Sequence, residues 1–258
     1  MKESSIEELA YFLKEAKKNG RPQPIFFLGA GASKTGDIPL AGEIVKDILE
    51  KHSENPRIKK IKDENKKYST LMACLNASSR NELLKNYIDK AKINVTHIYL
   101  AQLMEKEYVD YILTVNFDNL ILRALALFNI FPPTYDMAVL SEQILTTSQF
   151  HEKSVVYLHG QHHGIWLLNT EAEMAKVNAT ILRIFDSIKN GRPWVFIGYS
   201  GQDPIFDHIK KLGRFDNELY WITYNSEDPP KNVKDFLGNT AIEASIIKGY
   251  DADFYDET

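Results

Sequence analysis

The chain has 258 residues, a formal net charge of −4 and a single cysteine, Cys74. That length holds one large α/β domain, or one domain with a sizeable insertion, and the slight acidity supplies no global attraction to nucleic acid. One thiol excludes an intrachain disulfide and a multi-cysteine zinc site, and no apolar run approaches the roughly 18–20 residues that cross a bilayer.

Residues 4–19 read as an amphipathic helix. Ser4 and Glu7 have capping-box spacing, and Ile6, Leu9, Phe12, Leu13 and Ala16 recur with helical period. The charged start, MKESSIEELAYFLKEA, lacks the apolar stretch of a signal peptide, so the cytoplasm is the expected location. Residues 24–28 read as the first buried strand, which breaks into Gly29-Ala30-Gly31-Ala32-Ser33. A strand that stops in a glycine turn before a helix puts backbone N–H groups where phosphate can dock. The third glycine of the dinucleotide fingerprint is missing, and Lys34 follows instead. Ala41, Ile44, Val45, Ile48 and Leu49 mark a helix; residues 50–67, highly charged and holding Pro56, predict an exposed loop or loosely packed helical excursion. Its cations are mixed with acids, which describes a solvated face and no evident nucleic-acid patch. Helical stretches follow near 80–91 and 94–106.

The second half alternates. Strands are expected at 108–115, 155–158, 194–197, 219–223 and 242–247, and helices at 117–128, 171–189 and 204–212. Alternating short apolar strands and helices indicate an α/β fold, a doubly wound Rossmann-like parallel sheet. The long stretch 41–107 between the first and second strands predicts a helical subdomain inserted into one domain spanning 1–258. In such a sheet ligands sit beyond the carboxyl ends of the strands. Four of the expected strands end in short polar motifs that converge there: the glycine turn, Asn116-Phe117-Asp118, His159-Gly160 and Gly198-Tyr199-Ser200.

These motifs resemble those of the sirtuin family, in family order: Gly29-Ala30-Gly31-Ala32-Ser33, Thr114-Val115-Asn116-Phe117-Asp118, Leu158-His159-Gly160 and Gly198-Tyr199-Ser200. The resemblance implies NAD as substrate. It implies that Gly29, Ala30, Gly31 and Ser33 cradle the pyrophosphate, that Asn116 and His159 are catalytic, and that Gly198 and Ser200 line the adenosine side. Asn225 resembles the adenine-ribose contact, and Asp251, in Tyr-Asp-Ala, the residue that closes over adenine. Two departures stand out. Sirtuin deacylases carry two C-x-x-C zinc pairs, whereas residues 161–197 hold no cysteine; the family's P-D-F-R segment is replaced by Ile38-Pro39-Leu40-Ala41-Gly42-Glu43.

The pattern looks closer to zinc-less, sirtuin-like NADases of bacterial anti-phage defence, which hydrolyse NAD+ to nicotinamide and ADP-ribose. That resemblance implies no zinc, a homo-oligomer, and a separate trigger such as a HerA-type ATPase or a nucleic-acid sensor. An NAD-dependent deacylase or ADP-ribosyltransferase, and a non-catalytic NAD or ADP-ribose sensor, are the alternative readings. The chemistry suits the residues: nicotinamide leaves neutral, so no general acid is required, only a held ribose, a positioned water and a base. Asn116 can hold water or ribose, a near-neutral His159 can accept a proton, and Asp118 can orient the nicotinamide amide. Structural roles stand beside these. Asn116 and Asp118 suit a helix cap, as does Asp203; His159-x-x-His162-His163 lacks further metal ligands nearby; and Cys74 suits a buried helix position.

Overall fold

The computed structural model describes residues 2–139, 150–162, 167–215, 217–223, 228–239 and 242–249. Strands β1 (Lys2–Glu3), β2 (Ile25–Leu28), β3 (Tyr111–Thr114), β4 (Thr134–Asp136), β5 (Ser154–Tyr157), β6 (Trp194–Ile197), β7 (Leu219–Ile222) and β8 (Ala244–Ile247) form one sheet in the order β1-β8-β7-β6-β2-β3-β5-β4. Every pairing is parallel. The strand read as first is therefore the second, because Lys2–Glu3 adds an edge strand beside β8.

Both faces of the sheet are covered, which is why its strands are continuously apolar rather than alternating. Along β2, Ile25 and Phe27 enter one core with α8 (Glu171–Ala175), α9 (Asn178–Ile188), α10 (Ile205–Lys211) and α11 (Lys231–Leu237). Phe26 and Leu28 enter the other, with α1 (Ile6–Lys18), α6 (Val95–Glu105) and α7 (Leu120–Leu127). The first helix begins one residue later than its spacing predicts. Ser5, not Ser4, is the cap: its hydroxyl accepts the Glu8 N–H at 3.2 Å, and Glu8 accepts the Ser5 N–H. In that phase Leu9 and Leu13 are buried while Phe12 lies exposed.

Between β2 and β3 the chain forms α2 (Ala41–Lys51), α3 (Pro56–Lys59), α4 (Tyr68–Cys74), α5 (Ala77–Ile88) and then α6. The first four enclose a small core of their own, Ile44, Ile48, Ile58, Leu71, Met72, Leu75, Leu83 and Leu84. Residues 50–67 form a largely exposed, partly helical excursion: Asn55 caps α3 through the Arg57 N–H, and Ile58 anchors it in that core. Phe117 and Leu167, from loops at the carboxyl edge of the sheet, pack against the same core and fix the helices beside that edge.

At the amino edge, Arg192 joins three strand starts. Its Nε donates to Asp110 at 3.0 Å and its Nη2 to Glu152, while Asp110 also accepts the Gln23 N–H. Arg192 and Asp110 are both buried. No helix among the described residues is long and apolar enough to cross a membrane.

Candidate active site

The register aligns the strand ends. Ile197, Leu28, Thr114 and Tyr157 are level partners across β6, β2, β3 and β5, so the four motifs leave the sheet side by side. Neighbouring strands lie about 4.8 Å apart, which spreads the motifs over about 14 Å of one edge. The chain runs from β2 to one side and returns through β6 on the other, so the β2–β6 boundary is the topological switch point where such sheets bind ligands.

Hydrogen bonds tie the motifs together in strand order. Gly31 N–H donates to Gly198 O at 2.9 Å, and Gly29 N–H to Ile197 O at 2.9 Å. Asn116 Nδ2 donates to Gly29 O and to Ser33 Oγ, each at 3.0 Å. His162 N–H donates to Phe117 O at 2.9 Å, joining the β3 and β5 loops, and Gln161 N–H reaches Asp136 at the end of β4.

The glycines serve close approach more than turn geometry. A Cβ on Gly29 would lie 2.4 Å from Gly198 O, and one on Gly31 2.8 Å from Gly198 Cα. Gly198 has φ +62°, and its own Cβ would lie 2.1 Å from Ala32 N. Two backbones therefore interlock at the switch point, with the N–H groups of Gly29, Gly31 and Ala32 all engaged within the protein. Ala30, Gly31 and Gly198 remain partly exposed and Ser200 is exposed, whereas Ser33 is fully buried behind the loop.

Asn116 is buried, and its amide does not cap the helix that follows. Gly29 O can only accept, so the NH2 end of the amide faces the glycine loop and Oδ1 is the group left for a ligand. Asp118 stands just before the N-cap residue, Asn119, and its Oδ1 accepts the Leu120 N–H at 3.0 Å, while Oδ2 has no hydrogen-bond partner among the described residues. Burial pushes its pKa up, opposed by the Leu120 N–H.

His159 is partly buried, and its Nε2 is shielded from solvent with no hydrogen-bond partner among the described residues. Burial lowers its pKa, opposed by the charge of Asp203, so the imidazole is neutral at pH 7. Asp203 caps α10 through the Ile205 N–H at 2.8 Å and accepts the Tyr199 hydroxyl at 3.0 Å. Among the described residues no group of three or more His, Cys, Asp and Glu is arranged to hold a metal ion. Asn225, Asp251 and His163 lie outside the described residues.

Sequence reading missed three neighbours of the site. Asn94 and His97, on α6, pack behind the glycine loop, and Asp136 anchors the loop that follows His159. Asn94 had a local signal as the cap of α6; what links it to the glycine loop is its bond to Ala32 O across 62 residues.

Comparison with known proteins places this arrangement. The SIR2-like domain family matches residues 110–245. No curated protein matches the chain. Solved structures resemble it over nearly its full length. One is a sirtuin from work on the structural basis of substrate affinity (TM-score 0.53, 15% identity, 98% of this chain and 96% of that one). Another is a Sir2 mutant with a p53 peptide and NAD (0.52, 14%, 98% and 96%). A third is Sir2 with an inhibitor, 2'-O-acetyl-ADP-ribose and deacetylated p53 peptide (0.50, 15%, 98% and 96%).

Proposed function

The chain belongs to the SIR2-like domain family, and from that premise we propose that it is an NAD+ hydrolase that cleaves the nicotinamide–ribose bond. The observation that carries this reading is the shielded, neutral Nε2 of His159, without a hydrogen-bond partner among the described residues, on the same sheet edge as the fixed amide of Asn116. A buried polar atom without a partner is costly, and a substrate hydroxyl or water meets that need.

The reaction balances simply. The C1'–N bond breaks with its electron pair leaving on neutral nicotinamide, the water oxygen bonds to C1', and the water proton passes to His159 Nε2 and then to solvent. Asn116 Oδ1 holds the water or a ribose hydroxyl in line. Gly29, Ala30, Gly31, Ser33, Asp118, Gly198, Ser200, Asn225 and Asp251 form the NAD-binding set in this reading. The cysteine-free stretch 161–197 leaves no thiolates for a four-cysteine zinc module and favours water over an acyl-lysine as acceptor. In its setting the enzyme is a cytoplasmic effector of anti-phage defence, held silent as a homo-oligomer or through a HerA-type ATPase or nucleic-acid-sensing partner. A strict monomer with full activity in isolation overturns that setting.

The test is incubation of the purified protein with NAD+ and chromatography of the products. Free ADP-ribose and nicotinamide, lost in Asn116→Ala and His159→Ala, support hydrolysis. Turnover that requires an acetylated peptide replaces it with deacylation, the activity suggested by the peptide complexes among the similar structures. Binding without turnover, with or without partners, replaces it with a sensor.

A further inference from the structure

Asn116 owes its orientation to a buried chain of polar groups whose hydrogen bonds run in one direction. Asn94 Nδ2 donates to Ala32 O at 2.8 Å and to Thr35 Oγ1 at 2.9 Å. A carbonyl only accepts, so this end of Asn94 is the NH2 group and Oδ1 faces His97. Asn94 Oδ1 accepts the His97 N–H at 3.2 Å and lies 2.6 Å from His97 Nδ1. An amide oxygen cannot donate, so Nδ1 carries the proton. Burial, with Arg123 nearby, pushes the His97 pKa down to about 4, so the ring is neutral and Nε2 bears a lone pair.

Nε2 lies 3.4 Å from Ser33 Oγ. The single Ser33 hydroxyl proton therefore points to His97, consistent with Asp118 Oδ2 having no hydrogen-bond partner among the described residues. Ser33 Oγ is then free to accept from Asn116 Nδ2, as it does at 3.0 Å.

We propose that His97 is the positioning residue of this site: through Ser33 it fixes the rotation of the Asn116 amide and so aims Oδ1 at the reacting ribose or water. His97 itself is 1% exposed. The His97 lone pair holds the Ser33 proton away from the Asn116 NH2 group; without it the hydroxyl can turn that proton toward Nδ2, and the amide then loses one of its two anchors. The kinetic part of this inference rests on the hydrolase reading; the hydrogen-bond direction does not.

Two measurements test it. The first is long-range proton–nitrogen NMR of the full-length, nitrogen-15-labelled protein at pH 7. The expected result is the Nδ1–H tautomer for His97; an Nε2–H tautomer or a cationic ring overturns the proposal. The second is steady-state NAD+ hydrolysis by three variants. His97→Gln can place a carbonyl near the Nε2 position and keep an acceptor for Ser33. His97→Asn reaches only the Asn94 side, and His97→Phe offers no acceptor.

The expected pattern is a loss of kcat of about tenfold or more in His97→Asn and His97→Phe with KM within about twofold, and substantial recovery in His97→Gln. Equal losses in all three that follow their melting temperatures mean a merely structural role and overturn it. If the wild-type protein turns over no NAD+, the hydrolase reading fails by itself and the tautomer decides the positioning.

Discussion

The interlocked glycines make a quantitative prediction that separates backbone strain from loop contact. Gly198→Ala puts a Cβ at φ +62°, 2.1 Å from Ala32 N and 2.6 Å from Gly31 C. The left-handed conformation costs an alanine about 1–2 kcal/mol. Ordinary contact requires the two backbones to part by more than about 1 Å, which breaks the 2.9 Å bond from Gly31 N–H to Gly198 O and costs about 1 kcal/mol more. The sum is about 2–3 kcal/mol, or about 4–12 °C in melting temperature for a chain of this size. Gly213 is the control: its φ is +66° with nothing within 4 Å of a built Cβ, so Gly213→Ala bears the strain alone. Urea unfolding of both variants gives the difference directly, and calorimetry with ADP-ribose reads the same loop for binding. The reasoning fails if Gly198→Ala is no less stable than Gly213→Ala, or if it binds ADP-ribose as the parent does.

Three further outcomes follow from the charges. His97 and His159 both have depressed pKa values in the folded state, so on acidification the unfolded chain takes up those protons first. Their stabilisation is complete above about pH 6.5 and declines as pH falls toward the folded values, at about 1.4 kcal/mol per unit for each. At pH 5 His97 alone costs about 2 kcal/mol, so urea midpoints at pH 8 and pH 5 must differ, and less so in His97→Gln; equal midpoints refute this. Asp110→Ala strands Arg192 in the interior with Glu152 its one remaining acid among the described residues; the expected loss is about 3 kcal/mol, with any NAD+ turnover unchanged, and a midpoint unchanged in urea contradicts it. Glu173→Gln weakens the bridge to Arg80, 3.0 Å long and with both side chains mostly buried, which ties α5 to α8. The expected cost is about 2 kcal/mol with faster proteolysis within residues 50–67; an unchanged cleavage pattern argues against this coupling.

The sheet was legible because burial on both faces writes itself into single strands. IFFL, YILT, SVVY and WVFI need no partner to be recognised, and their endings in Gly, Asn, His and Gly mark one edge. What was not legible depended on neighbours. Lys2–Glu3 is a strand only because β8 lies beside it. Thr134–Asp136 has an exposed or half-buried edge pattern that carries little hydrophobic signal. The cap of α1 slipped by one residue because Ser4 and Ser5 both stand three before a glutamate, and only packing of Leu9 and Leu13 chooses between them.

The glycine motif shows most sharply how residues picked out by their spacing can serve a contact that the spacing does not suggest. Its spacing suggested N–H groups turned toward phosphate. In the folded chain three of those groups bond to protein, and the missing side chains at Gly29 and Gly31 admit the β6 loop instead. Yet this contact is what shapes the site. It sets the position of Gly29 O, which takes one hydrogen of the Asn116 amide, while Ser33, on the next turn of the same loop, takes the other. A loop whose glycines serve only a ligand would tolerate a small side chain wherever the ligand leaves space. Here the clash is with the protein's own backbone, so the geometry of Asn116 and the packing of the switch point are constrained by the same two residues.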